Sequence, residues 1–411
     1  MNEAKEPKSV KLPLDGIKII DFSAFIAGPA ASDILGSLGA SVYKVENPSG
    51  DAMRNARSIG LSVERPSPSF MAYNRYKKSI CIDLKSIDGC RAVYKMIEGA
   101  DVVIDGSRPG TMDRLGLGYL DVRQRNPRII YAALSAFGQS GPYAHRAGFD
   151  IAIQAESGIM SITGEPDGQP LKVGAPVIDV ASGYALTQGI LAALYARETT
   201  GKGEYLSVAM IDVAVHLQSQ MFAEFLDSGR PPVRPGNSAP YVAPADCFAT
   251  SDGSIVISAY MPAHWKKFCE VLGKAELLVD QRFENVADRV KNRRELIDEI
   301  ESVLNKKSTA EWLERLLAAG LVAGKVANYC DVVSSEQLAA NNSIVNWQTA
   351  DGFEFRSIRS PVRYGLDGIE NQQGVVPSLG LNSVEILSKF GLNEKEISAL
   401  IENKIVSGTQ H

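Results

Sequence analysis

One carboxylate stands out as a candidate for chemistry because it interrupts an apolar run of small residues. Asp179 lies between GAPVI and VASGY, within a glycine-punctuated stretch from Ala147 to Gly189. A carboxylate whose small neighbours let a substrate approach can attack an activated acyl group and form a covalent intermediate. The same aspartate could instead be the N-cap of a helix that we predict to begin near Ser182. The residues alone leave both roles open, and the two are compatible.

The familiar nucleotide-binding and hydrolase signatures are absent from the sequence. No G-x-G-x-x-G follows a predicted strand, VLGKAE lacks the Ser or Thr of a P-loop, and there is no G-x-S-x-G elbow. The four histidines are scattered without the spacing of metal ligands, and a metal site would need carboxylates alone. The sequence therefore disfavours dehydrogenases, P-loop enzymes, hydrolases and metal chemistry.

Composition and charge are those of an ordinary globular protein. The chain has 411 residues, 45% of them hydrophobic and 22% charged, which is enough for two domains or one elaborated one. The formal net charge is −5. Because no basic block is longer than Lys77-Lys78, we expect no nucleic-acid partner.

The cysteines and the apolar segments predict a cytoplasmic protein without a membrane partner. The five cysteines form no C-x-x-C pair and are odd in number, which favours reduced thiols. The N-terminal MNEAKEPKSVKLP has no apolar signal region. The most apolar stretch, Ile190 to Ala196, is much shorter than the roughly 18 residues of a membrane helix.

Short apolar runs alternate with helical patterns along the first half of the chain. IKIIDF, SVYKVE, SICIDL, DVVID and RIIYAAL are strand-like, and PAASDILGSLG and GCRAVYKMIEGA between them are helical. This alternation predicts a doubly wound parallel sheet in an α/β fold. Ligands of such sheets bind beyond the carboxyl ends of the strands, here near residues 22–28, 46–50, 105–110 and 135–141.

Changes in composition predict three segments in two domains. Residues 12–227 form the first part of a large, Rossmann-like α/β domain, which residues 331–405 complete. Residues 228–330 form a smaller α+β domain, introduced by the proline-rich SGRPPVRPGNSAPYVAP and containing a hairpin around Asp252-Gly253.

The sequence resembles the class III CoA transferases, a family that includes formyl-CoA and carnitine CoA transferases and α-methylacyl-CoA racemases. The resemblance rests on motifs that occur in order from about Leu12 to Glu402. These include PLDGIKIIDFSAFIAGPAASDILGSLGASVYKVE, NRYKKSICIDL, ADVVIDGSRPGTMDRLGLGY, AGFDIAIQAESG, GAPVIDVASG and AGLVAGKVAN. Each motif is weak by itself, whereas their order and spacing are specific.

The resemblance implies that Asp179 is the catalytic nucleophile. Asp179 would attack the donor acyl-CoA to form a mixed anhydride, and the freed CoA thiolate would then form an aspartyl-CoA thioester. The acceptor carboxylate would take over the CoA last. No permanently bound cofactor is implied, since CoA and acyl-CoA are substrates. Backbone N–H groups among small residues would stabilise the developing negative charge.

Phe149 favours a transferase over a racemase. Racemases of the family look to carry a histidine at this position, opposite the later aspartate, whereas transferases carry an aromatic residue. Phenylalanine cannot exchange a proton. We therefore interpret Phe149 as a wall of a transferase site, with ordinary core packing as the alternative.

The resemblance also implies a set of CoA contacts. They are Phe25, Ile26, Ala27, Asn47, Ile82, Gly106, Ser107, Arg108, Arg114, Leu115, Arg146, Phe149 and Asp150. Arg114 is the strongest candidate, because an arginine after a strand-end loop can grip a phosphate bidentately. Arg75, Lys77 and Lys78 could equally be ordinary solvated charges.

Two departures from the formyl-CoA transferases disfavour formyl and oxalyl substrates. Those enzymes have glutamine and arginine where this chain has Ile26 and Asn47. They also have a tetraglycine loop, where this chain has GNSAPYVAP. Short dicarboxylic acids such as succinate, itaconate or mesaconate are plausible acceptors, but they need a cation that the sequence does not identify.

In this family two chains thread through each other, so the resemblance implies an interlocked, obligate homodimer. Two alternatives to a CoA transferase remain open at this point. One is an acyl-CoA racemase or epimerase that uses Asp179 with another base. The other is a non-catalytic, CoA-binding subunit of a heteromeric transferase, which the retention of Asp179 disfavours.

Overall fold

The structure is a computed structural model that describes residues 11–60, 65–364 and 374–407. Within these ranges the chain forms two compact units, one of residues 11–159, 173–223 and 340–407, the other of residues 160–172 and 224–339. The domain bounds given above remain a prediction. That prediction places residues 160–172 in the large domain, whereas here they belong to the second unit. Residues 1–10, which carry the expectation of no signal region, lie outside the described ranges.

The described strands fall into three sheets. They are β1 (Lys18–Asp21), β2 (Ser41–Glu46), β3 (Lys77–Ile82), β4 (Val102–Asp105), β5 (Ile130–Ser135), β6 (Tyr205–Ala209), β7 (Ala245–Ala249), β8 (Ser254–Ser258), β9 (Val322–Lys325), β10 (Ile344–Thr349), β11 (Glu354–Ile358), β12 (Val375–Val376) and β13 (Val406–Ser407).

The described helices are distributed between both units. They are α1 (Ala27–Ser37), α2 (Pro68–Ala72), α3 (Ile87–Glu98), α4 (Thr111–Arg114), α5 (Tyr119–Arg125), α6 (Asp150–Glu156), α7 (Val177–Thr200), α8 (Met210–His216), α9 (Ser219–Ser228), α10 (Pro262–Leu272), α11 (Val286–Lys291), α12 (Arg293–Leu304), α13 (Thr309–Ala318), α14 (Tyr329–Val333), α15 (Glu336–Ala340), α16 (Ser383–Lys389) and α17 (Glu394–Glu402). Short 3₁₀ turns occur at Ala52–Arg54, Ile159–Ile162 and Ala275–Leu278.

The main sheet of the first unit has the strand order β13-β3-β2-β1-β4-β5-β6. All neighbours from β3 to β6 are parallel, and β13 joins the edge antiparallel to β3. The chain therefore reverses its direction of travel across the sheet between β1 and β4, which creates a switch point there. The predicted α/β fold with a parallel sheet is confirmed.

Helices cover the main sheet on both faces, because its strands are apolar on both sides. One buried cluster packs residues of α3, α5, α16 and α17 against the sheet, with Met96 and Ile397 among them. A second cluster packs α1, α7 and α8 against the other face, with Leu35 and Ile190 among them. Local signals agree with this arrangement: Ser86 is the N-cap of α3, and its hydroxyl accepts a hydrogen bond from the Gly89 amide.

Helix α7 lies unusually close to α1. A Cβ atom at Gly183 would lie 3.0 Å from the Ala27 carbonyl oxygen and 2.9 Å from the Ala30 Cβ, so only glycine fits without a shift. By length and composition alone, α7 is long and apolar enough to cross a membrane. A core helix of a globular protein passes the same test, and α7 packs on α1, β5 and β6.

The second unit is an α+β arrangement around its own core. The predicted hairpin is confirmed as β7 and β8, which pair antiparallel, and β9 adds to the other edge of β8. The core of this unit combines the sheet with α10, α12 and α13, and includes Phe248, Trp265 and Leu316. In the first unit, β10 pairs with β11 and β12 in a separate sheet.

We predict that replacing Gly183 with Ala destabilises the protein by about 1–3 kcal/mol, because the added methyl group overpacks the contact between α7 and α1. The free energy of unfolding, measured by urea denaturation, checks this. Gly189→Ala is the matched control on the same helix. Its Cβ would lie 3.2 Å from the flexible end of Leu206, and it should cost less than about 1 kcal/mol. Equal effects of both substitutions would contradict the overpacking.

Candidate active site

A cavity lies at the carboxyl edge of the main sheet, at the switch point between β1 and β4. Its volume is about 300 Å³. It is lined by residues that follow β1, by residues 106–109 after β4, by residues 134–136 at the end of β5, and by Asp179. Three predicted ligand regions of the sheet edge, after β1, β4 and β5, thus meet at one cavity.

Asp179 belongs to the first turn of α7 and is not its N-cap. The helix begins at Val177, five residues before the predicted start, and its N-cap is Pro176, which has no side-chain cap. The alternative that Asp179 caps the helix is therefore wrong. Its carboxylate accepts no hydrogen bond and forms no ion pair among the residues that the structure describes.

Another aspartate, Asp150, accepts the hydrogen bonds of the free backbone N–H groups at the N-terminus of α7. The Asp150 Oδ2 accepts hydrogen bonds from the backbone N–H of Ile178 at 2.8 Å and of Asp179 at 3.1 Å. Its Oδ1 accepts a hydrogen bond from the side-chain amide of Gln154. Asp150 was predicted to contact CoA, but it is not among the residues that line the cavity. No sequence signal links Asp150 to α7, because the two are 28 residues apart.

The electrostatic surroundings of Asp179 are unusual for an aspartate. Two effects raise the pKa of Asp179 from 3.8 to about 7: the larger is partial burial, and the smaller is repulsion from the Asp150 carboxylate. A carboxylate of this kind is divided between its protonated and ionised forms near neutral pH. Its ionised form is more basic, and hence a better nucleophile, than an ordinary aspartate.

Tyr73 is a neighbour of Asp179 that sequence reasoning missed. Burial raises the pKa of the Tyr73 hydroxyl, and the Asp179 charge raises it further. The hydroxyl therefore stays protonated at neutral pH and can act as a donor. Tyr73 ends the short helix α2, and its place in FMAYNRYKK gives no hint of an approach to residue 179.

Two aromatic rings form an exposed wall of the cavity. Phe25 and Phe149 pack edge to face, with ring centroids 5.0 Å apart, and 42% and 55% of their surfaces are exposed. Phe25 has a φ of 65°, a left-handed backbone conformation that is costly for a bulky side chain. Phe149, which the sequence predicts as a wall residue, lines the same cavity as Asp179.

Buried charges hold the segment after β1 that carries Phe25. The Lys44 Nζ donates to the Ser23 carbonyl oxygen at 2.8 Å and forms an ion pair with Asp51 at 2.9 Å. Asp21 accepts hydrogen bonds from both the amide and the hydroxyl of Ser23, at 2.9 and 2.5 Å. The strained loop is thus fixed from the interior of the sheet.

The same network corrects the alternative that Arg75 and Lys77 are solvated charges. Lys77 is fully buried and forms an ion pair with Asp21 at 3.1 Å, and Arg75 pairs with Asp33 at 2.9 Å. Burial lowers the pKa of Lys77 to about 8. Burial alone would raise the pKa of Asp21, but the lysine charges and hydroxyl donors outweigh it and hold the value at about 2. Lys78, in contrast, is half exposed and pairs with Glu385.

The N-terminus of α1 provides backbone donors at the cavity. Ala27 and Gly28, in the first turn of α1, line the cavity together with Asp179. The N–H groups of a first helical turn have no partner within the helix. A Cβ at Gly28 would lie 2.2 Å from the Ser23 Cβ, so this position requires glycine.

Seven of the predicted CoA contacts share the cavity with Asp179. They are Phe25, Ala27, Gly106, Ser107, Arg108, Arg146 and Phe149. The Arg146 guanidinium is already paired bidentately with Glu156, at 2.5 and 3.0 Å. Arg108 is exposed, and its guanidinium has no hydrogen bond or ion pair with the residues of the described ranges. Of the two arginines, Arg108 is therefore the one available to a ligand.

The other predicted contacts do not line this cavity. They are Ile26, Asn47, Ile82, Arg114, Leu115 and Asp150. Ile82 is fully buried in the core beside β13, so its side chain is not accessible to a ligand in this structure. Asn47 is exposed and bonds Ser49, and Leu115 packs partly against the core. Arg114 is exposed at the end of α4, where it donates to Thr111 at 3.2 Å.

Within the described ranges, no group of three or more His, Cys, Asp or Glu side chains is arranged to hold a metal ion. The titratable side chains that line the cavity are Asp179, Arg108 and Arg146. The arrangement can therefore provide one carboxylate nucleophile, one free cation and several backbone donors.

Comparison with known proteins places these features in a family context. The family described as CoA-transferase family III matches residues 14–383. A probable fatty acyl-CoA transferase of Mycobacterium tuberculosis is 39% identical over 86% of this chain and 92% of its own length. An acetyl-CoA:oxalate CoA-transferase of Acetobacter aceti is 39% identical over 82% of this chain and 87% of its own. A succinate–glutarate CoA-transferase of Agrobacterium fabrum is 32% identical over 94% and 97%.

Solved structures show the same fold. A CAIB/BAIF family protein from Brucella suis superposes with a TM-score of 0.84 and 33% identity, covering 93% of this chain and 100% of that one. An orthorhombic crystal form of a Mycobacterium tuberculosis protein superposes with a TM-score of 0.81 and 37% identity, covering 91% and 98%.

We predict that Asp179→Asn stabilises the protein at neutral pH, because it removes a carboxylate that is held at a cost. When folding raises the pKa of a carboxyl group, the folded protein loses stability as the pH rises from the unfolded pKa to the folded pKa. With values of 3.8 unfolded and about 7 folded, the gain of the variant should grow between about pH 4 and pH 7 and then level off. The plateau should be on the order of 2–4 kcal/mol.

Melting temperatures of both proteins, measured from pH 4 to pH 8.5, check this prediction. Asp212→Asn serves as a matched control, because Asp212 is also an aspartate in the first turn of a helix, α8, but lies outside the cavity. A constant difference between wild type and Asp179→Asn across the whole range would contradict the prediction.

Proposed function

The chain belongs to CoA-transferase family III, and from this premise we propose that it moves CoA from an acyl-CoA donor to a carboxylic acid through intermediates on Asp179. The observation that carries the proposal is the unpaired Asp179 carboxylate, whose pKa is about 7, in a cavity at the switch point of a parallel sheet. Such a carboxylate is accessible, basic and free to form a bond.

The proposed reaction consists of four exchanges at carbonyl carbons. An Asp179 oxygen attacks the donor thioester, and the CoA thiolate leaves, which gives a mixed anhydride. The thiolate then attacks the aspartyl carbonyl, the donor acid leaves as a carboxylate, and an aspartyl-CoA thioester remains. An oxygen of the acceptor carboxylate attacks this thioester and again releases the thiolate. The thiolate finally attacks the acceptor carbonyl and restores the Asp179 carboxylate, so no net proton is taken up or lost.

Each attack creates a negative oxygen that needs nearby donors. The first turn of α1 supplies backbone N–H groups at Ala27 and Gly28, which line the same cavity as Asp179. We propose that one or both stabilise the tetrahedral intermediates. Because Lys44 and Asp51 fix the segment that precedes them, these donors are held in place before the substrate binds.

Phe149 supports transfer rather than racemisation. A racemase needs two acid/base groups on opposite sides of the α-carbon. Among the described residues that line the cavity, Asp179 is the one group that exchanges protons near neutral pH, and an aromatic ring lies at position 149.

The identity of the acids is open to experiment. Relatives are named as fatty acyl, oxalate, and succinate–glutarate transferases. Oxalate belongs among the acceptors to be tested, although Ile26 and Asn47 differ from the formyl-CoA transferases. For a dicarboxylic acid, Arg108 is the cation of the cavity that could hold the second carboxylate. For a CoA ester, it could instead hold a phosphate.

An interlocked homodimer and a cytoplasmic location are parts of the same proposal. Large apolar side chains are exposed along α6 to α8, among them Ile151, Tyr184, Tyr195 and Leu217. A second copy of the chain could cover them, as the family resemblance implies.

We predict that Asp179→Ala lowers the rate of CoA transfer by at least about a thousandfold, which corresponds to about 4 kcal/mol. Wild-type protein should be incubated with succinyl-CoA or acetyl-CoA and a panel of mono- and dicarboxylic acids, with new thioesters detected by mass spectrometry. Hydroxylamine or borohydride should then modify the peptide that contains Asp179. The matched control is Asp212→Asn, which lies outside the cavity.

Near-native transfer by Asp179→Ala would overturn the covalent mechanism. Rapid incorporation of deuterium at the α-carbon of a chiral 2-methylacyl-CoA would instead identify a racemase.

We predict that Arg108→Ala raises a Michaelis constant on the order of tenfold, and that the affected substrate identifies the ligand of Arg108. A role with CoA phosphates raises KM for every CoA ester. A role with a second carboxylate raises KM for dicarboxylic acids and leaves monocarboxylic acids unchanged.

Arg114→Ala is the companion variant, because Arg114 is exposed and bonded to Thr111 outside the cavity. If Arg114 binds CoA, as the resemblance implies, its removal also raises KM for CoA esters while the melting temperature stays unchanged. A lower melting temperature with an unchanged KM would show that Arg114 is structural.

A further inference from the structure

We propose that Asp150 is a positioning residue for the nucleophile: it caps the N-terminus of α7, so that the carboxylate of Asp179 stays without a hydrogen-bond partner among the described residues. This inference rests on the proposed function of Asp179. It replaces the expectation that Asp150 contacts CoA.

The first step of the argument is the competition for the N-terminus of α7. An acidic side chain in the first turn of a helix is stabilised by the helix dipole and by free N–H groups, and this lowers its basicity. Asp179 occupies such a position. The N–H groups of Ile178 and Asp179 are nevertheless directed to Asp150 Oδ2, at 2.8 and 3.1 Å. Asp150 thereby occupies the two amides that could otherwise donate to the Asp179 carboxylate and lower its basicity.

The second step is the fixation of Asp150 itself. Its other oxygen, Oδ1, accepts a hydrogen bond from the Gln154 side-chain amide. Gln154 is fully buried, and its Oε1 accepts a hydrogen bond from the Val173 amide at 2.8 Å. The pair thus connects α6, the segment that leads into α7, and the backbone of the nucleophile. Both Asp150 oxygens are engaged, so Asp150 is not free to act as the nucleophile.

The third step is the charge balance around Asp179. The charged and titratable groups near it are Asp150 on α6, Tyr73 after α2, and the cavity residues Arg108 and Arg146. Arg146 is neutralised by Glu156, and the Tyr73 hydroxyl stays protonated at neutral pH. Burial raises the pKa of Asp179 most, and the charge of Asp150 raises it further, while neither Arg108 nor another cation of the described residues offsets these two effects.

The proposal predicts a characteristic pH dependence. In wild type, kcat/KM should fall about tenfold between pH 8 and pH 6, because Asp179 is protonated with a pKa of about 7. In Asp150→Asn the charge is absent, and the fall over the same range should be less than about threefold. Asp150→Asn together with Gln154→Glu keeps a negative charge but moves it four residues along α6, and it should give an intermediate profile. The double variant also restores a donor–acceptor pair between the two side chains.

A measurement without turnover separates the two hypotheses. The difference in stability between Asp179→Asn and its parent protein grows with pH and then levels off. The pH at which it levels off reports the protonation of Asp179 in the folded protein. In the Asp150→Asn background this pH should be lower than in wild type. If the wild type transfers no CoA but this shift occurs, the proposed function is wrong and the positioning role stands.

Two results would overturn the positioning role while leaving the transferase intact. The first is a kcat/KM that falls by the same factor at every pH in Asp150→Asn, with an unshifted stability profile, since a purely structural cap gives that pattern. The second is a raised KM for acyl-CoA with an unchanged kcat and pH profile, since a CoA contact gives that pattern.

Discussion

The close contact between α7 and α1 is the constraint on which the rest of the site depends. At Gly183 the two helix backbones approach so closely that a Cβ atom would lie 3.0 Å from the Ala27 carbonyl oxygen. This contact joins the helix that carries Asp179, the proposed nucleophile, to the helix whose first turn supplies the proposed backbone donors. Because α1 follows β1 directly, the contact also fixes both helices at the switch point of the main sheet.

Buried charges serve two opposite purposes around this contact. Under the β1–α1 segment, Lys44, Lys77, Asp21 and Asp51 compensate one another, and their pairing holds a backbone that includes the strained Phe25. An unpaired charge in such a place would be costly. The Asp179 carboxylate has no cationic partner among the described residues. Burial and the charge of Asp150 therefore disfavour its ionised form and raise its pKa to about 7. Paired charges thus hold the β1–α1 segment, whereas the carboxylate of Asp179 has no such partner among the described residues, as is common at functional sites.

Particular residues show how far sequence reasoning reached in this protein. The alternation of strands and helices predicted the parallel sheet, and the Asp-Gly turn predicted the hairpin of β7 and β8. The motif resemblance singled out Asp179 and seven other residues that line the same cavity. Lys77 was undecided, because a lysine at the start of a strand looks the same in sequence whether it is solvated or paired with a distant Asp21. The start of α7 was misplaced by five residues, since its cap is supplied from Asp150 and not from a neighbouring residue.

The sequence by itself determined which elements form and which residue types are available, because hydrophobic period, turn residues and motif order are local properties of the chain. It also determined the family, through the order of many short motifs. Only the tertiary structure decided which of those residues meet. It brought Asp150 to the N-terminus of α7, buried Ile82 beside β13 and placed Arg114 outside the cavity. It also left the Arg108 guanidinium without an ion pair in the part of the chain that the structure describes. These outcomes depend on contacts between residues far apart in the chain, and no local pattern encodes the distance between two such side chains.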